Sequence, residues 1–138
     1  MHDLTRRLEF SAAHRLHSSA ITAEENRTLY GVCNNPHGHG HNYVLDVTLR
    51  GEADPVTGMV MDLNRLAVLL DELLFSVVDH KHLDHDVPWL EGQVSTAENV
   101  VAAMWGQLAE PLGPLLYRMR LYESAANFVD YYGPGREA

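Results

Sequence analysis

A short segment rich in histidine and glycine holds the residues of this chain that are best suited to chemistry. It runs from Cys33 to Tyr43 and contains the only cysteine of the protein and three of its nine histidines. His39 and His41 lie two residues apart, where an alternating apolar run begins. A β-strand places residues i and i+2 on one face, so both imidazoles are expected to point the same way. The spacing therefore predicts half of a metal site.

A third histidine is expected to reach the same point from a second strand. Residues from Leu4 to His14 alternate between apolar and polar positions, which predicts a half-buried strand that ends at His14. If the two strands pair antiparallel, these ends meet. Catalytic zinc takes three protein ligands and keeps a fourth position for water or substrate. His14, His39 and His41 are therefore predicted to form an open metal site, although any one of them alone would be explained as an ordinary polar residue.

Cys33 lies six residues before His39 in a loop of Gly, Asn and Pro, which predicts a partly exposed side chain. A nearby cation and imidazole would favour its thiolate form, which can act as a base. The alternative is an inert, buried thiol. The spacing also allows His37 and His39 to be the ligand pair instead of His39 and His41. Because His37 follows a proline, before the alternation starts, it is predicted to be a loop residue near the site and not a ligand.

Carboxylates and one further histidine complete the candidates. Asp79 and His80 follow a predicted helix, and a carboxylate can orient an imidazole and increase its basicity. A histidine at a helix end also complements the helix dipole, which is the simpler explanation. Glu123 occupies an apolar position at the end of a predicted strand, where it requires a partner such as the N–H groups of a heterocycle. Glu98 is explained more simply by a helix capping box that begins at Ser95.

The remaining pattern predicts the elements that position these residues. Strands are expected over 4–14, 41–51, 117–121 and 127–132, a helical turn over 22–29, and helices over 62–78 and from 95 to the prolines at 111–114. This order predicts an α+β domain with two helices on one face of a four-stranded antiparallel sheet. No repeat or long linker interrupts it, so residues 1–138 are expected to form a single domain. A small sheet with open edges favours closure by neighbouring subunits.

Composition excludes several function classes. The formal net charge is −9, from ten Lys and Arg against nineteen Asp and Glu, and no basic cluster indicates a nucleic-acid interface. No segment has the apolar length of a membrane span, and the N-terminus lacks the apolar core of a signal peptide. A single cysteine cannot form an internal disulfide, so the cytoplasm is the expected compartment.

Six short segments recur together in one known family. They are Phe10–Leu16 (FSAAHRL), Cys33–Tyr43 (CNNPHGHGHNY), Gly51–Met61, Asp79–Asp84 (DHKHLD), Ser95–Val100 (STAENV) and Tyr122–Glu123. In this order and spacing they resemble the 6-pyruvoyl-tetrahydropterin synthase family. The resemblance implies a zinc-dependent lyase that converts 7,8-dihydroneopterin triphosphate to 6-pyruvoyl-tetrahydropterin with loss of triphosphate. It also implies the tunnelling fold (T-fold), in which subunits join their sheets into a barrel, and a homo-hexamer of two stacked trimers with active sites at subunit junctions.

The resemblance further assigns roles to the candidates. It implies Zn²⁺ on His14, His39 and His41, a general base at Cys33 with a proton relay through Asp79 and His80, and a pterin pocket formed by Glu123, Thr96 and Glu98. Two departures from the family pattern stand out. His37 replaces the usual Asn, and the turn after Glu123 is more apolar than usual.

Two alternatives to the synthase remain. The first is 6-carboxy-tetrahydropterin synthase of queuosine biosynthesis, which takes the same substrate and releases acetaldehyde. That branch usually shows Cys-x3-His-Gly-His, whereas the register favoured here is Cys33-x5-His39-Gly-His41. The second is a non-catalytic pterin- or metal-binding module, which would be expected to lack the base and its relay. Arg15 and Lys81 are the basic residues considered for the triphosphate.

Overall fold

A five-stranded sheet forms the framework of the protein in the computed structural model, which describes residues 1–135. The strands are β1 (His2–His14), β2 (His39–Gly51), β3 (Lys81–His82), β4 (Leu116–Tyr122) and β5 (Phe128–Tyr131), in the order β3-β1-β2-β4-β5. Neighbouring strands are antiparallel except for β1 and β3, which pair parallel.

The register of the sheet brings three chain segments to one end. β1 and β2 pair over their full length, from His2 opposite Gly51 to His14 opposite His39. β4 lies on the other side of β2 and pairs Tyr122 with Val44. Residue 123 therefore leaves the sheet at the same end as the histidines. This end is where the side chains predicted to do chemistry collect.

Helices connect the strands. They are α1 (Ala23–Tyr30), α2 (Leu63–Leu70), α3 (Ser76–Val78), α4 (Leu83–Asp86) and α5 (Ala97–Leu112). A π-helical turn, Asp71–Phe75, joins α2 to α3, so the predicted helix over 62–78 is continuous but locally widened. The Asp62 side chain caps α2, as the sequence predicts, by accepting a hydrogen bond from the Asn64 amide.

The two faces of the sheet differ in chemistry. One face packs against the helices through fully buried side chains such as Leu45, Val47, Leu66, Leu74, Val100, Met104 and Leu121. Burial of each large apolar side chain contributes about 1.5–3 kcal/mol. The other face carries cross-strand polar pairs, among them Arg7 with Asp46 and Arg120 with Asp130, each with a shortest N–O distance of 2.7 Å. Both pairs are bidentate, the geometry in which a partly exposed ion pair can contribute to stability.

The structure confirms the α+β class and refines three predictions. The predicted four-stranded antiparallel sheet is wrong in one respect: the sheet has a fifth strand, β3, which pairs parallel with β1 and is too short to show an alternation. The predicted capping box from Ser95 is wrong: Thr96 is the N-cap of α5 and accepts a hydrogen bond from the Asn99 amide, and Glu98 takes no part. Residues 83–93, for which the sequence predicts no helix or strand, contain α4 and a 3-10 turn, Pro88–Leu90. Among residues 1–135, no helix has the length and apolar character needed to cross a membrane.

Candidate metal centre and its surroundings

The three histidines predicted as ligands converge on one point. One ring nitrogen from each of His14, His39 and His41 lies within 4.8 Å of the other two. The Nε2 atoms of His39 and His41 are 3.2 Å apart. One of these neutral rings can donate a hydrogen bond to the other at this distance, and the same approach turns both nitrogens towards one point. The geometry is that of ligands arranged around a cation.

The pairing of β1 with β2 produces this convergence. His14 lies directly opposite His39, and His41 shares the face of His39 because it is two residues further along the strand. Gly38 allows the chain to enter β2 at this point: it has a φ of +78°, and a Cβ atom there would lie 2.9 Å from the His14 carbonyl oxygen. Any other residue at position 38 would disturb the approach of the two strands.

His14 is held in the tautomer that a metal ligand requires. Its Nδ1 lies 2.9 Å from the Ser95 carbonyl oxygen, which can only accept, so Nδ1 carries the proton. The Nε2 atom therefore presents its lone pair. This atom is buried and has no hydrogen-bond partner within the described part of the chain. A buried nitrogen left in this state indicates a missing ligand, because burial without a partner is costly.

Burial keeps the site ready to bind a cation. Removal from water lowers the pKa of His14 and of His41, and the neighbouring imidazoles lower both further. These rings are therefore neutral near pH 7 and can donate lone pairs. The donor set of three neutral imidazoles fits Zn²⁺, which prefers nitrogen and sulfur ligands.

Glu123 faces the cluster from the end of β4. Its Oε1 atom lies 3.6 Å from His14 Nε2 and 3.7 Å from His41 Nε2, and its side chain is 30% exposed. These distances are longer than hydrogen bonds. The carboxylate thus lies at the open rim of the cluster, where it can meet both a cation and a bound molecule.

Two residues near the cluster were missed by the sequence reasoning. The Tyr43 hydroxyl lies 3.5 Å from His14 Nδ1, and burial, followed by the Glu123 charge, raises the pKa of this phenol, so it remains protonated. Tyr43 could have been identified, because it shares the face of His39 and His41 in the alternating run. Ser95 could not have been identified. Its carbonyl group contacts His14 from 81 positions away in the sequence, and no local pattern marks it.

Cys33 lies on a 3-10 turn, Gly31–Asn34, and is partly exposed, as predicted. Two hydrogen bonds fasten this turn to the segment that follows β1. The Leu16 amide donates to the Cys33 carbonyl oxygen at 2.9 Å, and the Asn34 side-chain amide donates to the Leu16 carbonyl oxygen at 2.7 Å. The backbone of Cys33 is therefore fixed to Leu16, two residues after His14. A Cys33 thiolate is also one of the charges that raise the pKa of Tyr43, after burial and the carboxylates.

Asp79 and His80 form a pair at the edge of the sheet. His80 Nδ1 lies 2.8 Å from Asp79 Oδ2, and the Ser11 amide of β1 donates to Asp79 Oδ1 at 2.9 Å. These two partners lower the pKa of the Asp79 carboxyl group. The His80 side chain is 81% exposed and its backbone has a φ of +57°. No hydrogen bond links this pair to Cys33 within residues 1–135.

The other candidates lie around the cluster without touching its ligands. Thr96 is half-buried at the start of α5, and Glu98 is exposed in the first turn of that helix. His37 is exposed and lines a cleft beside the cluster together with Arg15, whereas Lys81 lies outside this cleft. The prediction that His37 is a loop residue outside the ligand set is consistent with this position.

Comparison with known proteins identifies one family. Residues 3–134 match the 6-pyruvoyl tetrahydropterin synthase family. The chain is 49% identical over 131 residues to a 6-pyruvoyl tetrahydrobiopterin synthase of Poecilia reticulata, covering 94% of this chain and 89% of the relative. The solved structure of Caenorhabditis elegans 6-pyruvoyl tetrahydropterin synthase matches with a TM-score of 0.90 at 44% identity, covering 95% of this chain and 94% of that one.

A relative from the alternative branch is less similar. A 6-carboxy-5,6,7,8-tetrahydropterin synthase of Synechocystis sp. is 33% identical over 107 residues, covering 75% of this chain and 80% of the relative. Family match, sequence identity and backbone similarity agree along nearly the whole chain. The chain belongs to the 6-pyruvoyl tetrahydropterin synthase family.

Proposed function

We propose that this protein is a zinc-dependent 6-pyruvoyl-tetrahydropterin synthase. It would convert 7,8-dihydroneopterin triphosphate to 6-pyruvoyl-tetrahydropterin by eliminating triphosphate and rearranging hydrogen within the pterin and its side chain. The observation that carries the proposal is the buried, unpaired Nε2 of His14, which faces two further imidazoles beside an anchored cysteine.

The metal would be held by the Nε2 atoms of His14, His39 and His41. Bound zinc supplies Lewis-acid chemistry: it polarises the hydroxyl groups of the substrate side chain and makes the adjacent C–H bonds more acidic. The Ser95 carbonyl oxygen keeps the first of these rings in its ligand tautomer. Neutral imidazoles leave most of the zinc charge uncompensated, which suits this role.

Cys33 would remove the proton from the acidified carbon. Its partial exposure allows the thiol to reach a substrate, and the hydrogen bond from Leu16 fixes its backbone to the segment that follows His14. A positioned base typically contributes about 10²–10⁴-fold to a rate. The proton would then return to the product side chain, because the reaction redistributes hydrogen without an external oxidant.

Asp79 and His80 would relay this proton. Within one chain they bind each other and not Cys33, and His80 points into solvent. We therefore assign this relay to the site of a neighbouring subunit in a homo-hexamer, whose subunit junctions would complete each active site. The Asp79 carboxylate orients the imidazole through Nδ1 and leaves Nε2 to exchange the proton.

Glu123 would anchor the pterin ring through its two carboxylate oxygens, which suit the ring N–H and amino donors. Its position 3.6 Å from His14 Nε2 places the heterocycle next to the metal. Thr96 and Glu98 would line the same pocket at the start of α5. The Thr96 hydroxyl accepts the Asn99 amide hydrogen bond and keeps its own proton available to donate.

Product identification tests the proposal. The zinc-loaded protein is incubated with 7,8-dihydroneopterin triphosphate, and the products are identified by mass spectrometry. We expect 6-pyruvoyl-tetrahydropterin and triphosphate. Acetaldehyde and a 6-carboxypterin would instead establish the alternative branch, and no turnover would favour a binding module. The register supports the first outcome, because the cluster contains His39 and His41 and leaves out His37.

Subunit complementation tests the shared active site. Cys33→Ala and His80→Asn should each be nearly inactive as purified proteins. If the base and the relay come from different subunits, dissociating and reassembling the two variants together should restore part of the activity. A mixture that stays inactive, although mass spectrometry shows mixed oligomers, would contradict the assignment.

A further inference from the structure

A second group of histidines lines an open cleft next to the metal cluster. The cleft has a volume of about 420 Å³ and is lined by Arg15, His17, Pro36, His37, His82, Asp84, His85 and Gln93. It adjoins the cluster through the chain itself: Arg15 follows His14, and Gln93 lies two residues before Ser95, whose carbonyl group holds His14. The two sites also meet at Gly38, where a Cβ atom would lie 2.9 Å from the His14 carbonyl oxygen and 3.1 Å from His82 Nε2. The cleft therefore adjoins the strand end that carries the metal cluster.

His82 lines the cleft, and the partner of its Nδ1 atom determines its tautomer. Its Nδ1 accepts a hydrogen bond from the Asp84 backbone amide at 3.2 Å, as the N-cap of α4. An amide can only donate, so Nδ1 carries a lone pair and the ring proton lies on Nε2. His85 lies close by, with its ring centroid 4.2 Å from that of His82.

His17 is fixed in the same way from the other side. The Asn34 side-chain nitrogen lies 3.1 Å from His17 Nδ1 and also donates to the Leu16 carbonyl oxygen at 2.7 Å. The second contact identifies this atom as the amide nitrogen, because the carbonyl oxygen of Leu16 cannot donate. His17 therefore also carries its proton on Nε2 and presents a donor.

Arg15 adds a permanent positive charge. Its Nε donates to the Asn34 carbonyl oxygen at 3.1 Å, and no residue in the described range 1–135 accepts a hydrogen bond from its terminal nitrogens. Two carboxylates near the cleft accept backbone hydrogen bonds, and one of them, Asp84, lines the cleft and brings a negative charge to it. Asp84 Oδ2 accepts the Arg15 backbone amide at 2.7 Å, and Asp86 Oδ2 accepts the His82 backbone amide at 2.8 Å. The cleft thus offers several donors around one guanidinium group.

We propose that this cleft binds a polyphosphate anion, through Arg15 and the Nε2–H groups of His17 and His82. One part of this proposal rests on the proposed function: if the protein is the synthase, the anion is the triphosphate chain of its substrate. A second metal ion fits the cleft less well. The fixed tautomers leave no lone pair on Nε2 of His17 or His82, and a guanidinium group repels a cation.

Calorimetric titration with inorganic triphosphate tests the binding. The zinc-loaded protein should bind the anion, and Arg15→Gln and His82→Asn should each weaken binding by about 10-fold or more, since each removes a hydrogen bond to a charged group. Asn at position 82 can still cap α4, so the loss reports the ring donor. Arg65→Gln, on the exposed face of α2, is the matched control for charge and should bind like the parent.

Two further measurements distinguish binding of a free polyphosphate from binding of the substrate's triphosphate chain. They also distinguish failure of the anion site from failure of the proposed function. In metal-free protein, both variants should show the same loss of triphosphate affinity. This result would exclude that the anion binds only to the zinc ion. With 7,8-dihydroneopterin triphosphate, both variants should raise KM while zinc content stays unchanged. Equal anion affinity in the parent and both variants would overturn the proposal. An unchanged KM would overturn the assignment to the substrate chain. Triphosphate binding through the cleft without turnover would refute the proposed function and leave the anion site standing.

Discussion

Two groups of histidines lie side by side in this protein and are prepared for opposite ligands. In the metal cluster, a carbonyl oxygen accepts the proton of His14 Nδ1, so Nε2 offers a lone pair to a cation. In the cleft, amide N–H groups donate to Nδ1 of His17 and His82, so Nε2 offers a proton to an anion. The residue type is the same. The partner on the far side of the ring decides its chemistry.

Burial separates the two groups as well. His14 is fully buried and His41 partly so, and the resulting fall in pKa keeps both rings neutral. The cleft histidines are half-buried or exposed. A largely buried cluster can limit the water around a metal ion and still leave its fourth position open. An open cleft suits a highly charged, flexible chain that remains partly hydrated.

The largest expected effect on activity is that of replacing a histidine of the metal cluster, and a histidine of the cleft provides the comparison. His39→Asn should remove zinc from the purified protein and lower kcat/KM by on the order of 10³-fold or more, because the Lewis acid is lost. His82→Asn should retain one zinc per chain. Metal analysis and steady-state kinetics check both. Zinc loss from the His82 variant would show that the two groups are not chemically distinct.

Cys33→Ala should separate the base from the metal. We expect kcat to fall by about 10²–10⁴-fold while zinc content stays at the parent level, since the thiol is assigned to proton transfer and not to coordination. Single-turnover kinetics on the zinc-loaded variant measure the effect. A variant with full turnover would move the base to another residue, and one without zinc would make Cys33 a ligand.

The stability of the metal-free protein should depend on pH through the buried cluster. The ordinary pKa of histidine is about 6.5, and folding lowers the pKa of His14 and His41 below it. The unfolded chain therefore binds protons first as pH falls below about 6.5, and the free energy of unfolding should decrease from there towards pH 5. Above pH 7, these two histidines should not change the free energy of unfolding.

Urea unfolding at several pH values measures this dependence. His14→Gln keeps a side-chain donor for the Ser95 carbonyl oxygen and removes one titrating ring, so its stability should depend less steeply on pH. An equal slope in the parent and the variant would show that His14 is not held neutral. Saturating zinc should raise the stability of the parent and make its fall below about pH 6.5 steeper, since the metal-bound folded state holds no added protons on these nitrogens.

The smallest expected effect concerns Tyr43. Its hydroxyl lies 3.5 Å from His14 Nδ1, too far to compete with the Ser95 carbonyl oxygen at 2.9 Å. Tyr43→Phe should therefore weaken zinc binding by less than about 10-fold, at the low end of the effects seen when a ligand's partner is removed. A greater loss, measured by competition with a chelator, would assign the control of the tautomer to Tyr43.

The sequence predicts the metal cluster because its geometry depends on strand parity and pairing. The two-residue spacing of His39 and His41 and the alternation that ends at His14 determine where these rings point. Features that depend on contacts between distant segments were not predictable. The Ser95 carbonyl group and the strand β3 belong to this kind, and Ser95 was mistaken for a helix cap because Thr96 is an equally good capping residue. The tautomers of His17 and His82 likewise depend on partners that only the folded chain supplies.

X-ray absorption spectroscopy of the zinc-loaded protein tests the central claim most directly. The claim is that three imidazoles hold one zinc ion while the nearby thiol stays free. We expect scattering from three imidazole nitrogens at about 2.0–2.1 Å, one further light ligand, and no sulfur at about 2.3 Å. A sulfur ligand, or fewer than three imidazoles, would contradict the account.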